Sequence, residues 1–240
     1  MTLLTVREGE HEWVMEDPGQ HIGRIIAMSG GPYEVGVLRH MAQAYAHASL
    51  AHDDLQPLVV DAGAHVGNHA LYMAAVCDAV VLAVEPPQGN YEALVANLHL
   101  NPALAPNVHP VAVALGASHG HASYGTAPAE DITWGKAPAR PSDGDSGTQC
   151  ELWPLDALLA EHSLDDVPVA LVKLDVEGME PDVIAGAHDT LAQHHPVVYA
   201  EARDDAADVA NTAALRPLRY RLSAVLNRRR TPMQVWVPDR

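Results

Sequence analysis

The chain has 240 residues, with 14 Lys and Arg against 31 Asp and Glu, a formal net charge of −17. That length suits one sizeable domain, and a hydrophobic content of 48% excludes a disordered chain. So acidic a molecule repels phosphate backbones, so nucleic acid is not an expected partner.

No apolar run approaches the roughly 20 residues of a membrane helix. The first thirty residues alternate charged with apolar groups and lack the basic start and apolar middle of a signal peptide. The expectation is a cytoplasmic protein with no membrane partner. Cys77 and Cys150 lie too far apart to frame a disulfide set or a zinc site, and read as small apolar fillers. Charge is uneven along the chain. Residues 216–240 carry seven Arg and one Asp, with Arg228, Arg229 and Arg230 together. That cluster suits either an anionic acceptor or a strand turn that balances the acidic body.

In chain order, residues 1–56 read as an N-terminal cap, with the helix-rich stretch 34–51 as either a lid or a homodimer face. From residue 57 a single domain runs to residue 240. Leu58-Val59-Val60 is a strand ending in Asp61 and Gly63, followed by an Ala-rich helix to about Val76. Val80 to Val84 is a second strand, ending in Glu85. Residues 88–100 place Tyr91, Leu94, Val95 and Leu98 at helical spacing. Val108 to Leu115 reads as a third strand. Residues 125–148, rich in Pro, Gly, Ser and Asp, read as a long irregular loop. Trp134 in that loop either closes over an acceptor or anchors the loop. Leu155 to about His162 is a helix, with Asp156 near its start. Val169 to Leu174 is a fourth strand, ending in Asp175. Residues 180–193 are a helix, and Val197 to Ala200 a fifth strand, ending in Glu201. Residues 219–226 and 233–237 alternate as an antiparallel pair.

Strands apolar on both faces, alternating with helices, indicate an α/β fold: an open parallel sheet of Rossmann type with a terminal hairpin. Ligands in such sheets bind at the carboxyl ends of the strands. Asp61, Glu85, Asp175 and Glu201 all fall there. The segment V-V-D-A-G-A-H-V-G spaces its glycines as G-x-x-x-G, where a dinucleotide site would have G-x-G-x-x-G. Asp61 would repel a pyrophosphate and attract a cation such as the sulfonium of S-adenosylmethionine. Glu85 is placed to accept hydrogen bonds from a ribose diol. Gly63, His65, Gly67 and Asn68 form the turn, with His69 on its helix side.

Four blocks carry a resemblance: VVDAGAHVGNHALYMAA, VLAVEPPQGNYEALVANLHLN, VHPVAVALGASHG and ALVKLDVEGMEPDVIAGA, followed by PVVYAEA. On these blocks the sequence resembles the FkbM family of S-adenosylmethionine-dependent methyltransferases over roughly residues 57–202. A weaker match lies at Pro32-Tyr33-Glu34. The K-L-D-V-E-G-M-E block is the most specific. The resemblance implies a Rossmann-like class I methyltransferase fold, a mostly parallel seven-stranded sheet with helices on both faces. It also implies transfer of a methyl group to an acceptor hydroxyl. The family commonly has Asn where this chain has His65.

Under that resemblance, Asp61, Gly63, His65, Gly67, Asn68, Glu85 and Asp175 belong to the cofactor site. Leu115 and Gly116 are expected beside the adenine ring, and Tyr33 and Glu34 above the cofactor. Proton removal from an alcohol needs a base or a metal. Asp175, Glu201 and Glu177 are the candidate catalytic groups. Asp175 and Glu201 are also candidate ligands for a hard cation such as Mg²⁺. Glu180 reads as either a ligand or a helix-start acid, and Asp204 and Asp205 as solvated. The expected acceptor is a small molecule, sugar or glycan, or a secondary metabolite. The alternative is a non-catalytic binding module that keeps the fold.

Overall fold

The computed structural model describes residues 2–16, 21–51, 55–86, 89–124, 140–141, 148–228 and 231–239. The chain opens with an antiparallel hairpin, β1 (Leu3–Glu8) and β2 (His11–Glu16), then helices α1 (His21–Ser29) and α2 (Val35–Ser49). The alternating βα section follows: β3 (Leu58–Ala62), α3 (Asn68–Cys77), β4 (Val80–Val84), α4 (Gly89–Leu100) and β5 (Val108–Val111). An excursion comprises β6 (Ala114–Leu115), β7 (Gly120–Tyr124), β8 (Arg140–Pro141) and β9 (Thr148–Trp153). The chain then returns through α5 (Leu155–Glu161), β10 (Val169–Leu174), α6 (Glu180–Ala185), α7 (His188–His194), β11 (Val197–Glu201) and α8 (Asp205–Leu215). It closes with β12 (Tyr220–Leu226) and β13 (Met233–Pro238).

The main sheet has seven strands in the order β12-β13-β11-β10-β3-β4-β5. β13 runs antiparallel to both its neighbours, β11 and β12, and the other six strands run in one direction. The chain steps outward from β3 to β5, then restarts on the other side of β3 with β10. In open α/β sheets the ligand crevice lies at such a reversal, outside the carboxyl ends of the strands.

Side-chain alternation separates two core layers. Val59, Ala83, Leu171, Tyr199 and Val235 face α2, α3 and α4. Leu58, Val60, Leu82, Val172, Leu174, Val198 and Trp236 face α5 to α8. Both faces of β3 and β10 are buried throughout, which is why those segments read as apolar runs broken only by Asp61 and Lys173.

The expected third strand stops early. β5 ends at Val111, with Pro110 tolerated because β5 is an edge strand. Ala114–Leu115 instead pairs with Leu152–Trp153 in a separate four-stranded sheet. Arg140–Pro141, inside the expected irregular loop, pairs with β7 in that sheet. Trp134 and the rest of that loop lie outside the described residues.

The helix expected over 180–193 is two helices. Gly186 ends α6 where a Cβ would overlap the Gly116 carbonyl and lie 3.0 Å from Pro154 Cα. The Asp156 carboxylate then accepts from the Asp189 and Thr190 amides at 3.0 and 2.9 Å and from Thr190 Oγ1 at 2.6 Å. Asp156 therefore secures the start of α7.

The N-terminal hairpin is tied to the domain by two asparagines four residues apart, Asn97 in the last turn of α4 and Asn101 just after it. Asn101 exchanges two hydrogen bonds with the Val14 main chain, at 2.9 and 2.6 Å. Asn97 accepts from Glu16 N at 2.7 Å and donates to Val66 O at 2.8 Å. These amides meet the main-chain groups of β2, an edge strand, and link the hairpin to the loop before α3. No helix among the described residues is long and apolar enough to cross a membrane.

Candidate active site

β3 ends in the turn that Gly63 and Gly67 were expected to make. Gly63 has φ +79°, and a Cβ there would overlap the Asp175 carbonyl oxygen and lie 2.9 Å from its carbon. Only glycine fits so close to β10. The amides of Gly63 and Ala64 both donate to Val84 O, at 2.9 and 3.1 Å. His65 sits at φ +51°, a left-handed conformation in which Asn and His are enriched. That shared tolerance accounts for His at a position where the resembling family commonly has Asn. Gly67, at φ +89°, starts α3.

The charge on Asp61 is not open. Asp61 is 1% exposed, and its Oδ1 lies 2.9 Å from Lys173 Nζ on the neighbouring strand. Register pairs the two residues directly. Lys173 also donates to Gly63 O at 2.8 Å and lies 3.9 Å from Asp175 Oδ2. Burial works against the ammonium, yet Asp61 and Asp175 outweigh it and hold its pKa above the ordinary lysine value. Burial likewise raises the Asp61 carboxyl, with Lys173 opposing. Asp61 is thus an internal counter-ion of Lys173.

Glu85 stands at the carboxyl end of β4. Its Oε2 accepts from His65 N at 2.9 Å and its Oε1 from Asn90 Nδ2 at 2.9 Å. Burial pushes its pKa up to about 7 against those two hydrogen bonds. Each carboxylate oxygen has two acceptor sites, so both retain capacity for a diol.

Across the crevice, Asp175 and Glu201 follow register neighbours on adjacent strands or end one. Asp175 donates its own amide to Ala62 O at 3.0 Å, beside the glycine turn. Its side chain is 32% exposed, whereas Glu201 is 5% exposed. Burial, then the charges of Asp175 and Glu180, push Glu201 up to about 8. Arg203 joins two loops here. Its Nε donates to Glu201 Oε2 at 2.6 Å, and its Nη2 pairs closely with Glu177 Oε2. Glu177 itself sits at φ +61°. Glu180 is internal: its Oε1 accepts from the amides of Val176 and Gly178 at 3.0 and 3.3 Å. It braces the turn after β10. Asp204, expected to be solvated, caps α8 by accepting from Ala207 N at 2.8 Å.

The donor set does not fit the expected Mg²⁺. Among the described residues no three His, Cys, Asp or Glu side chains converge as a metal site. Glu201 is already bound by a guanidinium, and Asp175 lies near an ammonium. A hard cation wants several free oxygens, and here two fixed cations compete for the two that were expected.

Tyr33 and Glu34 do reach the crevice. Asn68 clasps the Tyr33 main chain, accepting from its amide at 3.1 Å and donating to its carbonyl at 3.0 Å. Glu34 Oε1 accepts from Asn227 Nδ2 at 2.8 Å and Thr231 Oγ1 at 3.1 Å, and its Oε2 lies 3.6 Å from His69 Nε2. Burial, then Asp175, raise the Glu34 carboxyl; burial keeps His69 neutral by lowering its pKa well below the usual value. Leu115 and Gly116 are not brought to this group. Leu115 packs in the core beside Leu155 and Leu158. Gly116 donates its amide to Trp153 O at 3.0 Å and packs against Leu152 and Gly186. Arg229 and Arg230 lie outside the described residues, and Arg228 donates to Val225 O at 3.3 Å. Three site residues were missed in the sequence: Lys173, Arg203 and Asn90. Lys173 alone carried a signal, a charge inside an otherwise apolar strand.

Comparison with known proteins adds the family. A family model described as the methyltransferase FkbM domain matches residues 61–222. No curated protein matches the sequence. Among solved structures, the FkbM methyltransferase of Methylobacillus flagellatus KT aligns with TM-score 0.53 and 15% identity, over 92% of this chain and 62% of its own. Monomeric WbdD aligns with TM-score 0.54 and 14% identity, over 94% of this chain and 45% of its own. The methyltransferase domain of METTL16 aligns with TM-score 0.53 and 11% identity, over 86% and 67%. At such identities the likeness is one of fold, and this chain spans 62% of the first structure and under half of the second.

Proposed function

The chain belongs to the FkbM methyltransferase family, and from that premise we propose that it methylates a hydroxyl of a small molecule, sugar or glycan, with S-adenosylmethionine as donor. The bound donor supplies an electrophilic methyl group on a sulfonium. The chain's own residues supply binding, alignment and proton removal.

The crevice suits the donor. Gly63 and Gly67 let the turn pack directly against Asp175 and Leu94, and Glu85 keeps acceptor capacity for a ribose diol. Asn68 holds the Tyr33 main chain at its rim.

The observation that carries the acceptor chemistry is the placement of Asp175 and Glu201. They sit at the ends of adjacent strands, next to the glycine turn, with one carboxylate accessible and the other buried behind it. Asp175 takes the proton of the acceptor hydroxyl as general base. Glu201 stands beside it as a buried carboxyl whose own pKa is raised by burial and by the Asp175 charge, and Arg203 fixes Glu201 in place. Glu177 acts through Arg203. The base works without a metal, since the residues present do not fit one.

The test is methyl transfer from labelled S-adenosylmethionine to a pool of hydroxylated metabolites and glycosides, with the product bond assigned by NMR. Asp175→Asn is expected to retain S-adenosylhomocysteine binding and lose turnover. Methylation confined to nitrogen or carbon, or full turnover by Asp175→Asn, refutes the proposal.

A further inference from the structure

Lys173 is a costly residue in its place. It lies in β10, whose six residues are all buried, and is itself 2% exposed. A buried ion pair is often no more stable than well-packed apolar side chains of similar volume. Core stability alone therefore gives little reason for a lysine on the central strand.

Its contacts suggest another reason. The ammonium has three N–H donors, and three oxygens surround it: Asp61 Oδ1 at 2.9 Å on β3, Gly63 O at 2.8 Å in the glycine turn, and Asp175 Oδ2 at 3.9 Å beyond β10. The Gly63 residue is thereby held from both sides. Its carbonyl is bound by Lys173 and its amide by Val84 O. Two residues later the His65 amide points at Glu85 Oε2. One ammonium thus orders the stretch that links Asp61 to Glu85.

We propose that Lys173 is the positioning residue of the cofactor turn: it fixes the Gly63 carbonyl and neutralises Asp61, so the turn is preset before the donor arrives. The inference rests on the methyl-donor reading of this crevice. It also moves the open negative charge in the crevice from Asp61 to Asp175, whose side chain is the more exposed of the two.

The test uses Asp61→Asn, Lys173→Met and the double variant in the full chain. Three quantities are read: Tm, S-adenosylhomocysteine affinity by calorimetry, and amide exchange of residues 63–68 without ligand. Lys173→Met leaves a buried unpaired carboxylate and is expected to lower Tm the most. The double variant leaves no unpaired charge and is expected to recover most of that loss.

Positioning predicts that the double variant still exchanges residues 63–68 about tenfold faster than wild type and binds about tenfold more weakly, the scale of one lost charged hydrogen bond. A double variant that recovers Tm, exchange and affinity together overturns the proposal and makes the pair purely structural. Should Lys173→Met fail to fold, the double variant decides alone. Should wild type fail to bind S-adenosylhomocysteine, the donor reading falls, while the exchange measurement still decides the role of Lys173.

Discussion

Gly63→Ala probes the contact between the two halves of the crevice. Two separable penalties arise. Alanine at φ +79° must hold a left-handed conformation, which costs about 1–3 kcal/mol. Its methyl group also overlaps the carbonyl of Asp175, a main-chain atom with no rotamer to change. Forcing a methyl into a filled space costs about 1–3 kcal/mol. Together that is about 2–6 kcal/mol, against a total stability of about 5–15 kcal/mol for a domain.

A control isolates the second penalty. Gly9 has φ +58° in the hairpin turn, and nothing lies within 4 Å of a Cβ there. Gly9→Ala therefore carries the backbone penalty alone. Urea unfolding of the two variants, read as midpoint shifts at constant m, gives the difference. Gly63→Ala is expected to lose about 1–3 kcal/mol more than Gly9→Ala. It is also expected to weaken S-adenosylhomocysteine binding, because relief of the clash pulls Asp175 from the 3.0 Å bond to Ala62 O. Equal losses in the two variants, with unchanged affinity, would refute the close approach of β3 and β10.

Three further outcomes follow from the same geometry. A ribose diol donates to Glu85, so it favours the ionised carboxylate; affinity for S-adenosylhomocysteine should strengthen as pH rises through about 7 and flatten in Glu85→Gln, which calorimetry on either side of that pH checks. The folded-state pKa values of Glu85 and Glu201 are raised above the usual carboxylate value, so ligand-free stability should fall as pH rises through about 7 and about 8, and a Tm series that rises across that window would contradict their burial. Asp156→Ala removes three hydrogen bonds at the start of α7; it should cost about 1–2 kcal/mol in urea unfolding and leave S-adenosylhomocysteine affinity unchanged.

The parallel core was legible because β3, β4, β10 and β11 are buried on both faces, and doubly buried strands are apolar except where charges pair, as Asp61 and Lys173 do. The acids at their ends were legible for the complementary reason: an apolar run stops where the chain meets the crevice. The N-terminal hairpin showed only as an alternation of charged and apolar residues, since Val6, Trp13 and Met15 bury into a core made by later segments and Asn97 and Asn101 hold its main chain from some eighty residues on. Long-range pairing also hid the electrostatics. Asp61 looks like an open anion until β10 lies beside β3 and Lys173 falls in register with it. Glu180 read as a ligand or a helix-start acid, and its bonds to the amides of Val176 and Gly178 appear only once the turn after β10 is folded. Leu115 was misplaced because the chain leaves the main sheet after Val111, and local sequence does not reveal that β9 waits to pair with β6.

The central claim is that a methyl donor lies over the glycine turn with its ribose on Glu85. Calorimetric titration of the full chain with S-adenosylhomocysteine, in wild type and Glu85→Ala, tests it most directly. The account predicts one site per chain in wild type and a loss of about tenfold or more in the variant, as expected when charge-assisted hydrogen bonds are removed. No binding by wild type, or equal binding by Glu85→Ala, would contradict it.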